Sequence, residues 1–190
     1  KSHVLGKFVE VANSNKQQIF GIAPTHKATV ELGKVGFKNT DTVKGFIFKF
    51  HNEKIYVKTG STIVVDEAAM LGNADMTQLL KIAGSRQCNI VFTGDDAQLS
   101  SIERGGLFTD LKNMMSVATL ENIKRQQTEW GREVAKSFAV GDIEKGVNIL
   151  DKHNKIAYGS TVNNMIDHWM MSSEEIKNRL IITIRREDVN

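Results

Sequence analysis

STIVVDE, residues 61–67, is a short apolar run that ends in two adjacent acids, Asp66 and Glu67. Its apolar residues follow one another without the alternation of a half-exposed strand, which fits a strand covered on both faces. A second run of the same kind, CNIVFTGD at 88–95, also finishes on polar residues. Between them, positions 74–82 repeat their apolar residues at helical spacing through Met76, Leu79 and Leu80. Two fully apolar strands separated by a helix predict an α/β fold, a parallel sheet covered by helices on both faces.

The same alternation extends outward. QIFGIAP at 18–24 predicts a strand stopped by Pro24. THKATVELG at 25–33 predicts a helix with Thr25 as N-cap and Gly33 as its stop. Apolar spacing predicts a helix over 3–13 and a short one over 42–50, and KIYV at 54–57 reads as an edge strand. Beyond residue 95 a helix is expected to begin near Leu107, followed by a strand at 117–120 and helices at 128–139 and 142–152. A short strand at 156–158, a helix at 161–171 and a strand at 180–184 complete the reading. The alternation breaks near 115–127, so residues 1–115 are expected to form one unit and 116–190 to begin a second.

Composition narrows the function classes. Of 190 residues, 41% are hydrophobic, too many for a disordered chain, yet no run approaches the ~18 unbroken apolar residues of a membrane span. Cys88 is the sole cysteine, which excludes an internal disulfide framework and a cysteine-based zinc site and fits a reducing cytosol. The net charge of +3 is unevenly spread: residues 1–60 carry ten Lys/Arg against four Asp/Glu, and the remainder is net acidic. A basic N-terminal third hints at a polyanion contact, although solvated surface lysines give the same count. The chain starts Lys1-Ser2 without a methionine, which suggests a fragment. Pro24 is its one proline, where average usage near 5% would give about nine.

In parallel sheets, chemistry collects at the carboxyl ends of the strands. The polar residues there are Pro24-Thr25-His26, Asp66-Glu67, and Gly94-Asp95-Asp96 with Gln98. Adjacent acids at a strand end suit nucleoside-triphosphate hydrolysis. One carboxylate holds Mg²⁺, and the other orients and deprotonates the attacking water. Consecutive strand residues point to opposite sides, so a bend is needed for both to approach the phosphates. Taken alone, Asp66-Glu67 also fits an acid-rich helix start after a buried strand. GDDAQLSSIERGGLF at 94–108 adds weight: Gly94-Asp95 makes a tight turn, Gln98 can sense a γ-phosphate, and Gly105-Gly106 allow close backbone approach. A P-loop, GxxxxGK[ST], opens a helix with its Lys on phosphates and its Ser/Thr on Mg²⁺. Lys1-Ser2 leads straight into an amphipathic helix and reads as the last two letters of such a loop.

These motifs converge. IFGIAPTHKA, NTDTVKGF, IVVDEAAML, GDDAQLSSIERGGLF and LENIKRQQTEW stand in the order and spacing of superfamily 1 DNA helicases of the RecD-like group. The chain most resembles the helicase portion of conjugative relaxase-helicases, the TraA/TraI type of plasmid transfer protein. The likeness extends through TEWGREVAKSFAVGDIEKGV and RLIITIRREDVN, nearly the whole chain.

The resemblance implies a P-loop NTPase fold of RecA type, truncated at both ends. Residues 1–115 would be most of the first helicase lobe, and 116–190 the start of the second. It further implies ATP and Mg²⁺ as cofactors and ATP-driven translocation on single-stranded DNA during conjugal transfer. Lys1 and Ser2 would contact phosphates and Mg²⁺, Asp66 would hold Mg²⁺, and Glu67 would be the catalytic base. Gln98 would couple the γ-phosphate to lobe movement, and Arg125 would reach that phosphate from the second lobe. Pro24, Thr25, His26 and Thr42 would line the single-strand track, with Lys27, Lys44 and Lys49 supplying salt-dependent affinity. Partners would be single-stranded DNA together with a relaxase domain and further helicase domains of the same polypeptide, in a bacterial cytoplasm.

The glycine-rich part of the P-loop, the strand before it and the later second-lobe motifs are not in the sequence. Residues before Lys1 are therefore expected in the physical protein, and the 190 residues alone are expected to hydrolyse ATP poorly or not at all. Two rival readings stay open: a vestigial, non-catalytic module that binds single strands, and a RecD-type repair helicase. Several other features favour plain structural roles. His3, His51, His153 and His168 lack metal-ligand spacing. Trp130 shares a helical face with Val134 and Phe138 and reads as core. Met165, Met170 and Met171 around Trp169 read as packing, and Cys88 as an inert thiol. Arg185-Arg186 fits either a DNA contact or a solvated end.

Overall fold

The computed structural model describes residues 1–95, 106–120, 126–159 and 161–182. They divide into two compact units, 1–121 and 122–190.

In the first unit, α1 (Ser2–Ser14) precedes β1 (Ile19–Ala23), and α2 (His26–Val35) leads to β2 (Thr40–Thr42). Helix α3 (Val43–His51) and β3 (Thr62–Val65) follow, then a 3₁₀ turn at Ala68–Met70, α4 (Asn73–Ser85), β4 (Asn89–Phe92) and α5 (Leu107–Met114). All pairings are parallel, in the order β2-β1-β3-β4. The period-two alternation of strands sorts the side chains. Phe20, Ile22, Ile63 and Val65 pack with Val43 and Phe46 of α3 and Met76, Leu79 and Ile82 of α4. On the other face, Ile19, Ala23 and Val64 meet Leu5, Val9 and Ala12 of α1 and Ala28 and Leu32 of α2. The sheet is covered on both sides, as its apolar strands require.

Capping residues set the helix starts. Thr25 accepts from Ala28 N at 3.3 Å and Thr42 from Gly45 N at 3.0 Å, each satisfying an amide that would otherwise be orphaned, worth about 1 kcal/mol. Helix α2 runs through Gly33, which has ordinary helical backbone. It stops at Gly36, whose φ of 116° lies in the left-handed region that favours glycine.

Four expected strands differ in the structure. Residues 54–57 form none: the Gln18 side chain donates to Tyr56 O and accepts from Lys58 N, both at 2.9 Å or less, doing the work of a ladder. Residues 117–120, 156–158 and 180–182 are irregular, and residues 183–184 of the last expected strand lie outside the described residues. Conversely, the polar β2 was not visible as a strand; it exists through its pairing with β1. Strand β4, expected from its apolar run to be covered on both faces, lies at the edge of the described sheet, with Val91 38% exposed.

In the second unit, α6 (Glu129–Ala139) and α7 (Ile143–Lys152) pack on each other, and α8 (Thr161–Met171) follows. Val134 is buried, and Trp130 stacks on His153 with centroids 4.5 Å apart. Met170 and Met171 are exposed among the described residues. Arg179 donates to Trp169 O at 2.9 Å and lies over the Trp169 ring.

A candidate nucleotide-binding corner

Because every strand is parallel, the carboxyl ends of β1, β2, β3 and β4 share one edge of the sheet. Strand order reverses at β1: the chain steps to β2 on one side, then crosses back to β3 on the other. A crevice opens at such a reversal. Pro24, Thr25 and His26 leave β1 there, and Asp66 and Glu67 leave β3.

Asp66 continues the ladder, its amide donating to Ile22 O at 2.8 Å, and the residue is only 7% exposed. Three donors converge on its Oδ1: Lys1 Nζ at 2.8 Å, Thr93 Oγ1 at 2.6 Å and the Glu67 amide at 2.9 Å. A buried carboxylate needs such partners, since leaving it unpaired would cost several kcal/mol. The next residue bends sharply. Glu67 adopts φ 54° and ψ 38°, a left-handed conformation that costs a non-glycine residue roughly 1–2 kcal/mol. That is the bend which adjacent strand residues need if both are to face one ligand. Ala68 N, just past it, donates to Thr93 O at 2.9 Å, which pins the turn to the end of β4.

Gly94 completes the corner. A Cβ there would lie 3.0 Å from Phe108 Cζ and 3.1 Å from Ala69 N, so the chain passes the acid turn closely enough that any side chain would have to push its neighbours back by a few tenths of an ångström. Lys1 and Ser2 form the start of α1, where unpaired amides and the helix dipole favour negative charge. The Lys1 ammonium is ion-paired with the Asp66 carboxylate. Asp66 offers a buried carboxylate and Ser2, at the start of α1, a hydroxyl, donor types that suit Mg²⁺ with phosphates and water better than the many-ligand cage of Ca²⁺. No group of three or more His, Cys, Asp or Glu gathers among the described residues.

The rest of the edge is less uniform. Thr25, His26 and Lys27 are exposed beyond β1. Thr42 is half-buried and engaged as the α3 cap. Lys49 is paired with Asp41 Oδ2 at 2.7 Å, so its charge is partly committed within the protein. Gln98 and Arg125 lie outside the described residues. Sequence reading missed two residues. Thr93 was hidden as the last letter of an apolar run, though a hydroxyl at a strand end beside GD was an available signal. Asp41, which accepts from Thr42 N at 2.8 Å, gave no signal, because its partners are set by β2 and α3 together. Burial pushes the Cys88 thiol up from its ordinary pKa, in keeping with an unreactive side chain.

Residues 1–161 match the family described as an AAA domain. This chain belongs to the AAA domain family. The AAA domain here is an α/β P-loop NTPase fold, with its parallel sheet and strand-end acids in the order described above. Conjugal transfer protein TraA of Agrobacterium fabrum is 26% identical over 176 residues, covering 90% of this chain and 16% of that protein. Multifunctional conjugation protein TraI of Escherichia coli is 27% identical over 147 residues, covering 73% of this chain and 8% of TraI. The chain thus spans only a small part of the length of the curated relatives it matches. No described helix is long and apolar enough to cross a membrane.

Proposed function

We propose that this chain is the ATP-driven, single-strand-translocating helicase part of a conjugal DNA transfer protein, with its nucleotide site at the Lys1–Asp66 corner. One observation carries the reading: Lys1 Nζ lies 2.8 Å from Asp66 Oδ1, although 64 residues separate them in the chain. A lysine at a helix start, an acid at the end of β3 and a second acid on a bend meet where the strand order reverses. The AAA domain match and the conjugal transfer relatives support the same class.

The chain's own groups divide the work. Lys1 leaves Asp66 for the phosphates, because an oxyanion with more charge outcompetes one carboxylate for an ammonium. Ser2 and Asp66 would hold Mg²⁺, which supplies charge neutralisation at the phosphate oxygens. Glu67, half-exposed on its bend, takes the proton of the attacking water. Gln98 and Arg125 keep the coupling and charge-stabilising roles that the resemblance gives them. Pro24, Thr25, His26 and Thr42 hold the DNA backbone through amides and hydroxyls, and Lys27 adds salt-dependent affinity. In this reading residues 116–190 begin the second lobe.

ATP turnover by the full protein, with and without single-stranded DNA, tests the assignment. Glu67→Gln should lower DNA-stimulated turnover by about 10²–10⁴-fold, the usual worth of a general base. Unchanged turnover would reject the site.

A further inference from the structure

The three donors on Asp66 Oδ1 differ in what a bound phosphate would do to them. Lys1 approaches on a side chain that is 40% exposed and free to swing toward a stronger anion. The Glu67 amide is fixed by the backbone of the bend. Thr93 comes from another strand, and its hydroxyl donates at 2.6 Å, the length of a charge-assisted O–H···O⁻ bond. Its backbone cannot drift. Thr93 N donates to Val65 O at 2.8 Å on one side of the acid turn, and Thr93 O accepts from Ala68 N at 2.9 Å on the other.

We propose that Thr93 is a positioning residue of this corner: its hydroxyl keeps the Asp66 carboxylate oriented once Lys1 has moved to phosphate, so that the cation meets a carboxylate already in place. The inference rests on the nucleotide-binding reading and adds a role that neither the Lys1 nor the Asp66 assignment contains. Preorganisation of this kind depends on a supporting residue that is itself locked, and Thr93 is held by both backbone groups and by its side chain. Gly94 extends the constraint. A Cβ at Gly94 would crowd Phe108 and the Ala69 amide, so the backbone just after Thr93 lies close against the acid turn.

The test uses the full protein and a fluorescent ATP analogue, measured in EDTA and across a Mg²⁺ titration, for wild type, Thr93→Val and Thr93→Ser. Valine keeps the shape and removes the donor; serine keeps the donor. Thr93→Val should raise the Mg²⁺ midpoint about tenfold, the worth of one hydrogen bond to a charged group. Binding in EDTA, which depends on Lys1, should stay within about twofold, and Thr93→Ser should return the midpoint to within about twofold of wild type. An unchanged midpoint in Thr93→Val overturns the inference and leaves the nucleotide site standing. Equal losses with and without Mg²⁺, or no rescue by serine, make Thr93 a fold residue and also overturn it. If wild type binds no nucleotide, the site reading fails, and the role of Thr93 fails with it.

Discussion

Gly33 in α2 and Gly45 in α3 pose one substitution in two surroundings. Replacing a helical glycine with alanine stabilises by up to about 1 kcal/mol, through helix propensity and a less flexible unfolded chain. At Gly33 an added Cβ meets nothing within 4 Å, so that gain should appear in full. At Gly45 the Cβ would overlap Asp41 Oδ1 and lie 2.8 Å from Thr42 Oγ1. Those two oxygens accept from Thr42 N and Gly45 N, and Asp41 also holds Lys49. Displacing the carboxylate gives up a charge-assisted hydrogen bond of about 1.5 kcal/mol, taking the low end because the site is half-exposed. Disturbing the cap costs about 1 kcal/mol, and the exposed ion pair adds between about 0 and 1. Against a propensity gain of about 1 kcal/mol, Gly45→Ala should be destabilising by about 1.5–2.5 kcal/mol. For a unit of this size that lowers Tm by roughly 3–10 °C, whereas Gly33→Ala should raise it by roughly 2–4 °C. Far-UV circular dichroism melts are the suitable assay, since both tryptophans, Trp130 and Trp169, lie in the second unit. A Gly45→Ala protein that melts at or above wild type would refute the argument, as would a Gly33→Ala protein that melts below it.

Other consequences follow from the packing and the titration shifts. Phe46→Ala removes a fully buried ring and its edge-to-face contact with Phe20, 5.3 Å between centroids, and should cost about 3–5 kcal/mol by urea denaturation. A loss under about 1 kcal/mol would show that the face lined by α3 and α4 is not a packed core. Burial raises the Cys88 pKa, so its alkylation rate should turn up at a pH above that of a free cysteine in the same buffer. The raised pKa also fixes the sign of the stability effect. This contribution is fully present below the unfolded-state pKa and is lost as pH rises through the folded value. A midpoint at or below that of free cysteine contradicts the burial. His153→Ala removes the ring stacked on Trp130 and should shift the Trp130 emission to the red in a Trp169→Phe background; an unshifted spectrum would mean that the stack does not form in solution.

Much of this was legible in the sequence, because the relevant signals are local. Apolar runs ending in acids gave β3 and its strand-end position, and the spacing of Val4, Leu5, Phe8, Val9 and Ala12 gave the helix α1, in which Leu5, Val9 and Ala12 are buried while Val4 is exposed. What escaped were pairings made at a distance. β2 is a strand only because Gly21, Ile22 and Ala23 face Thr40, Asp41 and Thr42. KIYV has the pattern of a strand, yet Gln18 satisfies its backbone with a side chain. The stop of α2 was placed at Gly33 instead of Gly36, since sequence shows that a glycine is present but not which one turns left-handed. In the corner itself, Asp66 and Glu67 could be named from their type and place, while Thr93 acquires its role only when β4 pairs with β3.

In the proposed function, Lys1 and Asp66 meet to receive a nucleotide's phosphates. Equilibrium binding of ATP with Mg²⁺ to the full protein, comparing wild type with Lys1→Met by calorimetry, tests it most directly. Loss of the ammonium should weaken ATP binding by at least about tenfold, a single charge-assisted contact. The melting temperature should move little, because a partly exposed ion pair is worth about 0–1 kcal/mol to the fold. A Lys1→Met protein that binds ATP as tightly as wild type would contradict the claim.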